Sequence, residues 1–372
     1  MGMVLEKKRY EILDGLRGVA ALIVLLYHHL DLYGLANRCT HGYLAVDFFF
    51  ILSGYVIGYA YDDRWGRMDT WTFFKRRLIR LHPMILFATL IGVTFFYFGS
   101  GDLFPLIADC PAWKLLGAAL LGILMIPMPV AWDIRGWNEF CPVNGNAWTL
   151  SFEYAANILY ALVVRRFGKA VLVVFVAASA FLTLNLALDW DVLGTIGDRA
   201  EQAYTVIGGW ELSAAHVTIG FSRLLYPFFA GLLLSRLGAV IRLRGGFWWC
   251  SLLLSAILFT PPLAGIGNGL FEAGCILLLF PVLVLAGAGS EVSGRSAGVC
   301  RWLGEISYPL YIVQYPVVYT LLGGWVKAHP NVTAGQSLVV NAGCFALSVF
   351  LAWASLELYD KPVRRWLSGR RR

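Results

Sequence analysis

Apolar stretches of about twenty residues recur along the whole chain, and this recurrence decides the fold class before any motif is considered. Twenty helical residues rising 1.5 Å each cover about 30 Å, the thickness of a bilayer's hydrocarbon core. Within that core every backbone N–H and C=O must be satisfied by the chain itself, so repeated runs of this length fold as membrane-crossing helices. Core helices of soluble proteins are shorter and carry a polar face. Of the 372 residues, 59% are hydrophobic and only 14% charged, against about 25% charged in ordinary soluble domains. The expectation is an all-α polytopic membrane protein. Residues 1–372 read as a single membrane domain with no fused soluble domain, because helices and their loops consume the chain.

The net charge of +7 does not point to nucleic acid, because the basic residues sit in short segments between apolar runs. That is the distribution the positive-inside rule expects. Candidate spans are about 14–34, 42–61, 80–100, 147–164, 169–188, 214–236, 247–262, 268–288, 302–324 and 336–357. With ten spans, all the basic segments fall on the cytoplasmic side. They are Lys7-Lys8-Arg9, Lys75-Arg76-Arg77 with Arg80, Arg165-Arg166 with Lys169, Arg236 with Arg242 and Arg244, Arg295 with Arg301, and the tail from Lys361. Both termini are then cytoplasmic. An eleventh apolar stretch near 113–129 would reverse every later loop if it crossed. Its Gly117, Gly122, Pro127 and Pro129 suit a re-entrant or interfacial segment on the outer side. The first apolar segment carries Arg17 and His28 and lacks a small-residue cleavage site, so it reads as an uncleaved first helix rather than a signal peptide. Cys39, Cys110 and Cys141 fall in outer loops. A Cys110–Cys141 bridge and three unpaired thiols are both open at this level.

Ionisable groups at membrane depth are expensive and mark functional positions by default. In the ten-span topology His28, Asp47 and Glu153 lie on three helices, each roughly 8–9 Å inside the outer boundary at 1.5 Å per residue. An imidazole and two carboxylates then share one layer, and a carboxylate beside a histidine orients the ring and raises its basicity. Arg223, slightly deeper, is placed to neutralise one carboxylate. The alternative is that such groups merely pair to hold helices together. Glu272 lies close to an outer helix end and reads as facing water.

Arg17 and His28 are eleven residues apart, about three helical turns, and so lie on nearly the same face. A cation at the inner mouth and a base about 16 Å further out suit a long ligand with an anionic head inside and a reactive tip outward. Acyl-CoA has that shape. The competing reading makes Arg17 a topology anchor paired with Asp14. Arg77 and Arg80, three apart where the third helix begins, match phosphate oxygens; from the spacing alone an ordinary positive-inside cluster, or attraction to anionic lipid, is the stronger reading.

The run Leu13-Asp14-Gly15-Leu16-Arg17-Gly18-Val19-Ala20-Ala21, ending at Tyr27-His28, resembles the opening of the family-three membrane acyltransferases, whose hallmark is an Arg, ten residues, then a His. The stretch from Gly42 to Gly54 resembles that family's second helix, and Phe74–Pro83, with Arg77-x-x-Arg80, its basic lead into the third. Asn146–Glu153 is similar to its Trp-Ser-Leu-x-x-Glu element, and Ile306–Tyr311 to its late helix. Gln314 stands where many members carry a second histidine. The resemblance implies transfer of an acyl group, usually acetyl, from acyl-CoA to a hydroxyl of an extracytoplasmic carbohydrate or glycolipid acceptor, in a bacterial inner membrane and with no metal. It implies Arg17, Arg77 and Arg80 as donor-binding residues.

In the mechanism this suggests, His28 removes the acceptor hydroxyl's proton, with Glu153 or Asp47 orienting the imidazole; an acyl-histidine intermediate is the other route. His29 is the rival base, about 100° away around the helix. Outer-loop residues near 130–146 (Trp132, Trp137, Asn144, Asn146, Trp148) and 189–213 (Trp190, Trp210, Glu211) either grip a sugar or form an interfacial aromatic belt. Partners are then an acyl-CoA donor, a glycan acceptor and membrane lipids, with no nucleic acid. A transporter or flippase is the main alternative, and a non-catalytic scaffold the second.

Overall fold

The computed structural model describes residues 9–99, 103–197, 199 and 202–369. Lys7 and Lys8 of the first basic segment and the last three arginines of the tail lie outside the described residues. Eleven helices carry the architecture: α1 (Glu11–Asp31), α2 (Ala45–Tyr61), α3 (Thr70–Gly99), α4 (Ala112–Ile123), α5 (Trp148–Leu162), α6 (Lys169–Ala187), α7 (Ala214–Leu237), α8 (Gly246–Leu258), α9 (Ile266–Gly289), α10 (Gly294–Val317) and α11 (Ala334–Ser355). No strand occurs among the described residues. Each of the ten expected spans coincides with one of these helices. Among the described residues, seven segments, those of α1, α2, α3, α6, α7, α9 and α11, are long and apolar enough to cross a membrane. The protein is an all-α multi-pass membrane protein. Its outward apolar faces fit lipid contact: Val174 on α6, Leu252 on α8 and Leu338 and Val339 on α11 are all exposed.

The stretch near 113–129 folds as α4, twelve residues long. At 1.5 Å per residue it spans about 18 Å, too short for a bilayer core of about 30 Å. It ends in a turn at Met125, whose φ is positive. Leu115, Ala118, Met128, Ile134 and Val143 form one small apolar cluster there.

Two close helix pairs frame the bundle. Along α1 and α10, a Cβ on Gly18 would come within 2.5 Å of Leu303, and one on Gly304 within 2.6 Å of Asp14. Along α2 and α7, a Cβ on Gly54 would collide with the Phe228 backbone oxygen and one on Gly231 with that of Ile51. Backbones approach this closely only where side chains vanish, which is how membrane helices pack without a hydrophobic driving force between them.

Prolines inside helices leave carbonyls that neighbours satisfy. Pro281 has no N–H, which frees the carbonyl of Leu277 within the π-turn Cys275–Leu279; the Tyr226 hydroxyl donates to it at 2.7 Å. Pro316 on α10 likewise frees Ile312, whose carbonyl accepts from Asn144 Nδ2 at 2.7 Å. Asn146 Nδ2 donates to the neighbouring Tyr311 carbonyl at 2.8 Å. These two asparagines draw the segment before α5 down into the bundle, where Ile134, Arg135, Val143 and Asn144 are all buried.

Candidate functional site

Two cavities lie end to end along α1, α2, α5 and α10. The first, of about 540 Å³, is lined by Arg17 on α1, Ser53 on α2, Glu153 on α5 and Tyr308 on α10, together with Arg77 and Arg80 on α3. The second, of about 370 Å³, is lined further along the same helices by Val24 and His28, Val46, Trp148, and Tyr311 and Tyr315. Between them Phe49 packs edge-on against Tyr311, ring centroids 5.5 Å apart. Phe49 is three residues past Val46 and four before Ser53, so the partition on α2 is about one helical turn thick.

The first cavity lies at the basic end of the bundle. Six cationic side chains line it (Arg9, Arg17, Arg77, Arg80, Lys361 and Arg364) against four carboxylates (Asp14, Glu153, Glu305 and Asp360). Arg17 is anchored by Asp14 Oδ1 and Ser307 Oγ, both at 2.9 Å, and by the Gly304 carbonyl at 3.3 Å. Arg77 donates to Glu153 Oε1 at 2.6 Å, and Ser53 Oγ donates to the same oxygen at 3.2 Å. Arg80 makes no hydrogen bond or ion pair among the described residues and is open to the cavity. An anion arriving there meets one free guanidinium beside two braced ones.

The second cavity has aromatic walls. Trp137, Trp148, Trp210 and Tyr27, Tyr43, Tyr311, Tyr315 and Tyr319 all face it. His28 lies between Tyr315 and Tyr319, ring centroids 5.7 and 5.6 Å away. Its Nδ1 is buried without a hydrogen-bond partner, and Gln314 stands beside the ring with both amide atoms also unpaired. Tyr315 donates to Glu139 Oε1 at 2.5 Å, and Tyr319 donates to Asp31 Oδ2 at 2.7 Å. Glu139 is also paired with Arg135, whose guanidinium is buried over the rings of Phe96 at 4.5 Å and Phe104 at 5.0 Å. The outer segments are tied together where Phe140 N–H donates to the Trp210 carbonyl at 2.8 Å.

The trio expected in one layer is not assembled. His28 faces the second cavity. Asp47 does not reach it: Arg223 Nη2 and Nε bind its carboxylate at 2.7 and 3.3 Å, with both residues almost wholly buried. Arg223 also donates to the carbonyls of Tyr43 at 2.8 Å and Gly208 at 3.1 Å. Glu153 lines the other cavity. The depth estimate fails because α5 starts below the outer face, beneath the buried segment 134–147. Five residues beyond Trp148 already reach the basic cavity. Arg17, Arg77 and Arg80, by contrast, come together as neighbours. His29 points away from the cavity, its Nδ1 3.0 Å from Asn341 Oδ1.

Glu272 does not face water. It is fully buried, accepting from Tyr43 Oη at 2.5 Å, Asn268 Nδ2 at 2.6 Å, Val206 N–H at 2.6 Å and Thr205 Oγ1 at 3.1 Å. The loop 202–207 folds over the helix end and seals it. Of the outer-loop tryptophans, Trp132 and Trp190 are exposed, whereas Trp137, Trp148 and Trp210 line the cavity. The cysteines are unpaired. Burial pushes the Cys141 thiol up to about 12, so it stays protonated and unreactive. Asp31, Glu139, Tyr315 and Tyr319 were not singled out by sequence. Tyr311, Tyr315 and Tyr319 follow a four-residue spacing, and Asp31 is three residues from His28, so both carried a one-face signal.

The fold and its two cavities define a multi-pass membrane protein with a basic chamber toward one end and an aromatic, histidine-bearing chamber toward the other. The chain belongs to the acyltransferase 3 family, whose acyltransferase domain matches residues 10–357. It is similar to Acyltransferase MdmB of Streptomyces mycarofaciens, 26% identical over 384 residues, covering 97% of this chain and 92% of that one. It is 31% identical over 193 residues to Protein 2 in picA locus of Rhizobium radiobacter, covering 49% of this chain and 97% of the relative. It is 40% identical over 159 residues to the O-acetyltransferase OatA of Staphylococcus aureus, covering 41% of this chain and 24% of that protein. No solved structure matches. The protein is a membrane-bound O-acyltransferase.

Proposed function

We propose that the enzyme transfers an acyl group, acetyl first among them, from acyl-CoA in the basic cavity to a hydroxyl of a glycan or glycolipid in the aromatic cavity. The observation that carries this reading is the stacking of the two chambers along the same helices, parted by about one turn. Ten crossings, with the basic cavity and both termini on the cytoplasmic side of a bacterial inner membrane, give each substrate its own side. A single membrane domain over residues 1–372 is part of the same reading.

Arg80, free of partners, takes the phosphate groups of the donor, with Arg77 and Arg17 braced beside it. The pantetheine arm extends past the Phe49–Tyr311 partition, which brings the thioester toward His28. The acceptor hydroxyl loses its proton to the His28 imidazole as its oxygen bonds to the thioester carbon. The C–S bond breaks, and the leaving CoA thiolate takes up a proton. The His28 ring is oriented by Gln314, in place of either carboxylate. Glu153 braces Arg77, and Asp47 neutralises Arg223. The relative OatA is an O-acetyltransferase by name, and the similarity favours acetyl here.

The test uses purified protein in detergent, labelled acetyl-CoA and acceptor glycans. Parent protein labels the glycan, His28→Ala loses kcat by about 10²-fold or more, and Arg80→Ala raises the donor KM. Undiminished transfer by His28→Ala overturns the assignment. Failure of the parent to consume donor with any glycan or acyl length favours transport.

A further inference from the structure

The charges around the aromatic cavity do not cancel. Glu139 is matched by Arg135, and Arg223 by Asp47. Asp31 has no cationic partner among the described residues; its one side-chain hydrogen bond there comes from Tyr319, to Oδ2. It lines the cavity one helical turn beyond His28, with Oδ1 making no hydrogen bond among the described residues. Residues three apart on a helix have Cβ atoms about 5–6 Å apart, so a group bound to Asp31 sits beside the hydroxyl offered to His28.

We propose that this cavity is built for a non-anionic sugar ring, with Asp31 accepting a hydroxyl or ammonium donor adjacent to the hydroxyl that is acylated. The proposal rests on the acyl-transfer reading for the identity of that hydroxyl, and on geometry for the rest. At about 370 Å³ the cavity is at the small end of ligand pockets, which run about 300–1,000 Å³. Its flat aromatic walls offer stacking surfaces. A carboxylate or phosphate on the ring carbon next to the acylated one would face an uncompensated negative charge where little water remains to screen it. A hydroxyl gains a charge-assisted hydrogen bond there, and an ammonium gains an ion pair as well. Tyr319 holds the carboxylate in place, so it cannot swing away from an unsuitable acceptor. Asp31 is therefore a specificity-determining residue that touches the acceptor, and it takes no proton in the reaction.

The experiment compares the methyl glycosides of glucose, glucosamine and glucose 2-phosphate, which put a hydroxyl, an ammonium and an anion on the same ring carbon. Binding to purified protein is read by tryptophan fluorescence, and acyl transfer from acetyl-CoA is measured in parallel. The parent is expected to bind the glucose and glucosamine glycosides, with the 2-phosphate weaker by about tenfold or more. Asp31→Asn should level the series and raise the glucosamine KM more than it lowers kcat; Asp31→Glu should keep the rejection of the 2-phosphate. The proposal is overturned if the parent binds the 2-phosphate as well as glucose, if Asp31→Asn leaves the order unchanged, or if none of the three binds. If the binding order holds but no label leaves acetyl-CoA, the acyl-transfer reading fails and the sugar site stands.

Discussion

Replacing Asp47 with Asn separates two roles that the sequence left open. If Asp47 serves Arg223, the change removes the counter-charge of a guanidinium that is 1% exposed. Two carbonyl hydrogen bonds, to Tyr43 and Gly208, remain. Breaking a buried pair from one side costs about 3–5 kcal/mol, because the surviving charge is left uncompensated. That is a large share of a folded protein's stability of about 5–15 kcal/mol. Removing both partners, as Asp47→Leu with Arg223→Met, should recover most of the loss. The assay is unfolding in detergent, followed by transfer rate per folded molecule. Asp47→Asn should lower stability and keep most of its kcat. If instead stability holds while kcat falls by about 10²-fold, as loss of a group assisting the base would cause, Asp47 acts on His28 and the reasoning here is refuted.

Arg80→Ala should raise the donor KM by about 10–100-fold, the worth of a hydrogen bond to a charged group, with kcat nearly unchanged; initial rates against acyl-CoA concentration check this. Asn144→Ala leaves the Ile312 carbonyl, freed by Pro316, without a partner, and should destabilise by about 1–3 kcal/mol in the same unfolding assay. Gln314→Leu should lower kcat by about 3–10-fold without changing either KM, since it removes the polar amide that stands beside the His28 ring and is free to bond it as the ring takes up a proton; Gln314→His should restore it. An effect on donor KM alone would detach Gln314 from the base.

The helices were legible because hydrophobic run length answers directly to bilayer thickness, and the stretch that the positive-inside count set apart folds as the short helix α4. Arg17, Arg77 and Arg80 were found together because a basic segment and a helix mouth are local signals. The error at Glu153 came from measuring depth along one helix as though every helix began at the membrane surface. α5 begins inside the bundle because Asn144 and Asn146 bind carbonyls of α10, a contact across more than 160 residues that no periodicity encodes. Glu272 was misjudged for a related reason: its cover is a loop from elsewhere in the chain. Asp31 stood three residues from His28 and was readable. Its importance emerges only once Glu139 and Asp47 are seen to have cations of their own.

The most direct test of the account is sidedness. Protein is reconstituted in sealed vesicles of one orientation, with labelled acyl-CoA confined to the face bearing Arg80 and acceptor glycan confined to the opposite face. The account predicts label on the glycan with parent protein, none with His28→Ala, and none when the two substrates exchange sides. Transfer that requires both substrates on the same face would contradict the two-chamber account.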